Sequence, residues 1–116
     1  MRYASLGVVF HIIELDISMF EFHDHRNDLT RPTKETIAQQ AERYGQIFSL
    51  FKECREVVQS VTFWGIADDD TWLDNFPIKG RKNGPFLFDE RHEPKPAFWW
   101  VVNVGISDFC LMCSVI

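Results

Sequence analysis

Two apolar runs, each followed by a helical segment, constrain the fold of this chain more than any other feature. The first run spans residues 7–17 and is dominated by Val, Ile, Phe and Leu, as in a strand that is buried on both faces. The second, "SVTFWGIA" at residues 60–67, is rich in β-branched and aromatic residues. An order of strand, helix, strand, helix predicts an α/β fold with parallel strands joined by helical crossovers.

The segment between the two runs carries the pattern of one long helix. Apolar residues recur at alternating steps of four and three, which predicts a helix over about 33–59 with one buried face. The residues of that face are Ile37, Ala41, Tyr44, Phe48 and Phe51. Thr33 is a good N-cap and Glu35 suits the first turn. A second helix is predicted to begin at Pro96, after an irregular stretch over 68–94.

Chain length limits how these elements can be completed. The 116 residues suffice for one modest domain, whereas a closed (β/α)8 barrel needs eight strand–helix units and about 250 residues. Two units leave strand edges and apolar faces uncovered, so part of a larger domain is expected, and the uncovered edges allow the chain to associate with itself. A net charge of −5 without a basic stripe argues against nucleic acid as a partner.

The N-terminal sequence bears on the cell compartment, and the cysteine and histidine spacings bear on metal binding. No signal peptide and no apolar stretch of membrane-spanning length is recognised, and a cytoplasmic location is expected. Cys110 and Cys113 form a C-x-x-C without a second pair, so two apolar thiols are favoured over a metal or redox site. His23 and His25 flank Asp24, but they lack a third distant ligand, which favours a solvated loop. No cofactor is expected.

Two carboxylates end the first apolar run. Glu14 and Asp16 stand two residues apart, so a regular strand would direct both to one face, and burying them unpaired would cost several kcal/mol. In a parallel barrel the carboxyl ends of strands hold the working groups, and Trp64 and Trp72 fall at or after the end of the second strand. Acids facing indoles suit glycoside hydrolysis. The alternative is that Glu14 pairs with a basic side chain and Trp64 fills the core.

Longer motifs connect these residues to a known family. They are "ELDIS", "VTFWGIADDDTWLDNFPIKGRKNGPFLFDERHEPKPAFW" and "SMFEFHDHRNDLTRPTKETIAQQAERYGQIFSLFKECR". Together they resemble the C-terminal quarter to third of the family 10 glycoside hydrolases, the endo-1,4-β-xylanases, and especially their intracellular bacilli-type members. The resemblance implies a (β/α)8 barrel to which residues 1–103 contribute the seventh and eighth strands with their helices. Residues 104–116 form an apolar tail that does not match the family.

The resemblance also implies roles for single residues. Glu14 corresponds to the catalytic nucleophile, Asp16 to the carboxylate that supports it, and Trp64 and Trp72 to indoles that bind the sugar. The acid/base glutamate of the family would lie upstream of this chain, so the chain alone is predicted to be inactive on xylan or xylo-oligosaccharides. The alternative is a non-catalytic fragment that binds sugar or associates with itself.

Three positions depart from the family pattern. Phe10 stands where the family usually has an aliphatic residue. Ile13 stands where the family has Ser or Thr, and strand alternation predicts that its side chain contacts the helix layer. Gly84 stands where the family commonly has an aromatic residue.

Overall fold

The computed structural model describes residues 6–20, 31–76, 78–104 and 110–113. Its elements follow the predicted order: strand β1 (Phe10–Leu15), helix α1 (Lys34–Glu53), strand β2 (Val58–Phe63), helix α2 (Pro96–Asn103) and strand β3 (Cys110–Cys113). A short 3₁₀ helix, Trp72–Asp74, lies between β2 and α2. The predicted alternation of strands and helices is confirmed, and a third strand is added that the sequence does not predict.

Helix α1 begins where its cap predicts and ends earlier than its apolar pattern suggests. The Thr33 side chain accepts a hydrogen bond from the Thr36 backbone N–H, and the Thr36 hydroxyl accepts one from the Thr33 N–H. This reciprocal capping box satisfies two donors that a helix start leaves open. The helix ends at Glu53 because residues 54–57 form a turn, closed by the Val58 N–H on the Cys54 carbonyl, that leads into β2.

The three strands form one parallel sheet in the order β1-β2-β3. Pairing of β1 with β2 contains two irregularities, because Phe10 and His11 face Val58 and Ser60, and Ile12 and Leu15 face Val61 and Phe63. Each irregularity inserts one extra residue into one strand, first Gln59 in β2 and then one residue in β1. A bulge of this kind bends the strand and re-aims the side chains beside it.

The core lies between the sheet and the two helices. The predicted face of α1 is confirmed: Ala41, Tyr44 and Phe48 are fully buried, while Ile37 and Phe51 are half-buried. The core residues that meet this face from the other elements are Val58, Val61, Phe63, Phe86, Leu87, Ala97 and Val101. Each large apolar side chain buried here contributes about 1.5–3 kcal/mol relative to exposure.

Two sequence predictions concern residues outside the described ranges or at their limits. The segment with His23, Asp24 and His25 lies outside the described residues. Residues 110–113 lie in the apolar tail, where they form β3 beside β2. Over the described parts of the chain, no helix is long and apolar enough to cross a membrane.

Candidate functional site

Glu14 lies at the carboxyl end of β1 and is exposed. Its φ of +61° falls in the left-handed region, which costs a residue with a side chain about 1–2 kcal/mol. The residue belongs to the bulge between Ile12 and Leu15, so strict alternation ends before the acid. The bulge therefore presents Glu14 to solvent at the strand end where α/β barrels place their chemistry.

The same bulge overturns the prediction for Ile13. Its side chain is 64% exposed and is not packed against the core. The prediction of contact with the helix layer was wrong because it assumed regular alternation through Glu14. Ile13 and Glu14 are instead both exposed, and the β1 residues that face the helices are Phe10, Ile12 and Leu15.

Asp16 follows β1 and is half-buried beside Trp72. The Trp72 indole Nε1–H donates a hydrogen bond to Asp16 Oδ2 over 3.0 Å. Burial raises the pKa of Asp16, the negative charge of Glu14 raises it further, and the bond from Trp72 partly opposes both. Glu14 and Asp16 are thus electrostatic neighbours, and the Asp16 carboxylate also anchors the indole.

Trp72 presents an exposed aromatic surface together with a residue that sequence reasoning missed. Trp72 is 46% exposed and Phe76 is 50% exposed. Their rings stack with centroids 5.9 Å apart and planes inclined by 23°. Phe76 lies within the long quoted motif that begins "VTFWG", and its spacing of four from Trp72 was the available signal. Paired exposed rings beside carboxylates form a surface suited to an apolar sugar face.

Trp64 divides its contacts between the site and the core. Its backbone N–H donates to the Leu15 carbonyl over 3.0 Å, which fixes the residue beside the end of β1. Its half-buried side chain packs against the core cluster. Trp64 therefore combines the predicted position at the strand end with the core contact of the alternative interpretation.

The loop after β1 is held by the segment over residues 83–85. The Ile17 N–H donates to the Pro85 carbonyl and the Met19 N–H to the Asn83 carbonyl, over 3.1 and 3.2 Å. The Ser18 hydroxyl donates to Asn83 Oδ1 over 2.6 Å. These bonds join the residues after β1 to the long irregular segment after β2. The sequence predicts both segments as loops and gives no signal of their pairing.

Three consecutive acids, Asp68 to Asp70, follow β2, and the first of them is not exposed. Asp68 is buried: its Oδ2 accepts a hydrogen bond from Lys95 Nζ over 2.7 Å, and its Oδ1 accepts one from the Phe86 N–H over 2.8 Å. Burial raises the pKa of Asp68 and lowers that of Lys95, and their mutual attraction opposes both shifts. Asp69 and Asp70 are exposed, and Asp69 contacts His92.

Metal-ligating side chains are scattered in the described structure. Within the described ranges, His, Cys, Asp and Glu residues form no group of three placed to hold a metal ion.

The chain matches one protein-family model and is similar to several known protein sequences. The family model described as "Glycosyl hydrolase family 10" matches residues 1–104. An "Endo-1,4-beta-xylanase" of Geobacillus stearothermophilus is 74% identical over 103 residues, which are 89% of this chain and 31% of that protein. An "Endo-1,4-beta-xylanase B" of Paenibacillus barcinonensis is 55% identical over 102 residues, which are 88% of this chain and 31% of that protein.

Solved structures agree with the sequence comparison. A "Thermobacillus composti GH10 xylanase" superposes with a TM-score of 0.84 at 54% identity, covering 90% of this chain and 34% of that one. The xylanase XynB of Paenibacillus barcinonensis superposes with a TM-score of 0.82 at 55% identity, covering 87% of this chain and 30% of that one. The chain thus spans just under a third of the length of the curated relatives it matches.

Proposed function

The chain belongs to glycosyl hydrolase family 10, and we propose that it forms the nucleophile-bearing part of a retaining endo-1,4-β-xylanase. In this proposal β1 and β2 are the seventh and eighth strands of a (β/α)8 barrel, and xylan or xylo-oligosaccharide is the substrate. The relatives named above are xylanases about three times as long as the matched stretch. The part of those relatives that this chain does not span would then correspond to the other strands.

The observation that carries the proposal is the arrangement around Glu14. An exposed carboxylate stands at the carboxyl end of a parallel strand, its negative charge is close enough to raise the pKa of Asp16, and Asp16 holds the exposed Trp72 indole. Barrel enzymes place their catalytic groups at this end of the strands. Retaining glycosidases use a carboxylate as nucleophile, and an exposed aromatic ring offers a surface on which a sugar can stack.

The proposed reaction is a double displacement. Glu14 attacks the anomeric carbon, the glycosidic bond breaks, and the leaving oxygen takes a proton from a second carboxylic acid. Water then cleaves the glycosyl-enzyme bond while that second group acts as base, so the anomeric configuration is retained. Both steps use two carboxyl groups and water, and no cofactor enters them.

The second carboxyl group is expected to come from outside this chain. A retaining enzyme needs it about 5–5.5 Å from the nucleophile, on the opposite side of the scissile bond. Asp16 directly follows the nucleophile's own strand and is hydrogen-bonded to Trp72, which suits it to support Glu14 and not to protonate the leaving group. We therefore expect the chain alone to be inactive.

The two indoles would bind the sugar with different freedom. Trp72 is anchored through Nε1 and exposes its ring, whereas Trp64 is partly held by the core. Stacking on a sugar ring would contribute about 1 kcal/mol per indole beyond area burial. The larger exposed area of Trp72 makes it the main stacking surface of the proposal.

Reconstitution tests the proposal. The chain is mixed with the earlier part of the Geobacillus stearothermophilus relative, which this chain does not span, and release of reducing ends from xylan is measured. Turnover should appear only in the mixture and should be abolished by Glu14→Gln. Glu42→Gln, which alters an exposed acid of α1, is the matched control and should leave turnover unchanged. Turnover that survives Glu14→Gln would contradict the proposal.

Covalent labelling identifies the nucleophile directly. A 2-fluoro-xylobioside with a good leaving group should label Glu14 in the reconstituted mixture, as read by peptide mass spectrometry. The exposed Trp72–Phe76 pair also favours a second candidate function, binding of sugar without catalysis. In that case xylo-oligosaccharides would change tryptophan fluorescence while neither labelling nor turnover occurred.

A further inference from the structure

Strand β3 covers the edge of β2 that β1 does not cover. Residues 60–63 of β2 pair in parallel with residues 110–113, from Ser60 with Cys110 to Phe63 with Cys113. The family match ends at residue 104. The strand that covers this edge therefore comes from a part of the chain that the family does not share.

The position of β3 follows the rule that builds the rest of the sheet. Each strand is added beside the previous one, and a helix lies between them in the chain, first α1 and then α2. In a closed barrel of eight such units the position after the eighth strand belongs to the first strand, because a barrel has no free edge. If β2 is the eighth strand, as in the proposed function on which this step rests, β3 lies where the first strand belongs.

We propose that β3 is an autoinhibitory strand, which keeps β2 from pairing with the first strand of a barrel. The backbone groups along one side of β2 can form a ladder with only one neighbour, about 4.8 Å away, so the two partners exclude each other. The tail is joined to α2 by a short connection, which gives it a high effective concentration at this edge. A first strand must displace it before the barrel can close.

A proline in the middle of β3 tests whether this strand covers the edge of β2. Met112→Pro removes a backbone donor and disfavours the ladder, whereas the matched control Met112→Ala keeps the N–H. Amide hydrogen exchange read by NMR should speed up at the amides within residues 60–63 that point toward β3. Amides of β2 that point toward β1 should stay protected, and Met112→Ala should match the unaltered chain. Equal exchange in both variants overturns the proposal.

Binding measures the exclusion itself. The probe is again the earlier part of the Geobacillus stearothermophilus relative, immobilised, with each variant of the full chain passed over it. Met112→Pro should bind at least about tenfold more tightly than the unaltered chain, since it no longer competes with its own tail. A chain that ends at residue 104 should bind like Met112→Pro. Equal affinities overturn the proposal.

These readouts separate the inference from the proposed function. Neither uses turnover or Glu14, so a failure of the nucleophile test leaves tighter binding by Met112→Pro interpretable. Turnover lost in Glu14→Gln together with equal binding would uphold the function and reject the autoinhibitory strand. Absence of binding by every variant would count against the barrel position of β2 and so against the inference.

Discussion

Asp16 and Asp68 are carboxylates in two regions of the same small chain, and they differ in how completely hydrogen bonds and ion pairs satisfy their oxygens. Burial raises the pKa of both. Asp68, 6% exposed, meets the Lys95 ammonium and the Phe86 N–H, so each of its oxygens has a partner. Asp16 is half-buried, and its Oδ2 accepts a hydrogen bond from the Trp72 indole.

The difference separates a structural carboxylate from one that is available for function. Asp68 and Lys95 meet the requirement for burying charge, since Lys95 also donates to the carbonyls of Gly84 and Phe86. Asp16 keeps contact with solvent and with the charge of Glu14. The buried region is complete within this chain, and the region around Glu14 has room for further partners.

The largest expected effect comes from breaking the buried pair. Lys95→Met leaves the Asp68 carboxylate buried beside apolar atoms and should lower the free energy of unfolding by about 3–5 kcal/mol. Urea denaturation followed by circular dichroism measures the loss. Lys82→Met is the matched control, because Lys82 pairs with Asp74 nearer the surface and should cost less than about 1 kcal/mol.

A double variant then isolates the uncompensated charge. Asp68→Asn combined with Lys95→Met removes both charges, and it should be more stable than Lys95→Met alone because no carboxylate remains unpaired. Equal stability of Lys95→Met and Lys82→Met would show that Asp68 depends on its partner no more than an ion pair nearer the surface does.

An intermediate effect is expected at the exposed acid. Glu14→Gly releases the left-handed backbone at φ +61°, and after the entropic cost of glycine it should raise the free energy of unfolding by about 0.5–1 kcal/mol. Glu14→Gln keeps the side-chain length and the strained backbone, so it should show no comparable gain. Thermal unfolding of the two variants side by side gives the comparison. A loss of stability in Glu14→Gly would show that the bulge is not strained.

The smallest expected effect is a change in pH dependence at Asp16. A carboxylic acid whose pKa is raised on folding binds more protons folded than unfolded, so its contribution to stability falls as pH rises above the ordinary value of 3.8. Asp16→Asn cannot titrate and still offers an oxygen to Trp72. Its melting temperature relative to the unaltered chain should therefore increase between pH 3.5 and 7. A constant difference across that range would contradict the pKa shift.

Local signals made the helices predictable from sequence. Thr33 caps α1 through its own neighbours, and Pro96 begins α2, so neither depends on distant contacts. The bulge at Glu14 was not predictable in the same way, because it exists only in the register between β1 and β2. The burial of Asp68, beside the exposed Asp69, depends on Lys95, which lies 27 residues later.

The structure gives a physical reason for a glycine at position 84, where the resemblance predicts an aromatic residue. Its φ is +51°, and a Cβ at this position would come within 2.5 Å of the Met19 terminal methyl and 3.2 Å of Asp68 Oδ2. An aromatic side chain therefore has no room here unless Met19 moves. The sequence shows that position 84 is a glycine, and the packing of the segments around Met19, Asp68 and Gly84 explains why.

The Gln40 side chain has a further consequence for how the site moves. Its amide nitrogen donates to the carbonyls of both Ile17 and Gly84, so one group on α1 bonds the segments that follow β1 and β2. If one segment moves away from the helix, the shared amide moves with it, and the hydrogen bond to the other segment is weakened. The two segments should open as one cooperative unit, with a single shared free energy of local unfolding, so thermal fluctuation would move Asp16 and the residues around Gly84 together.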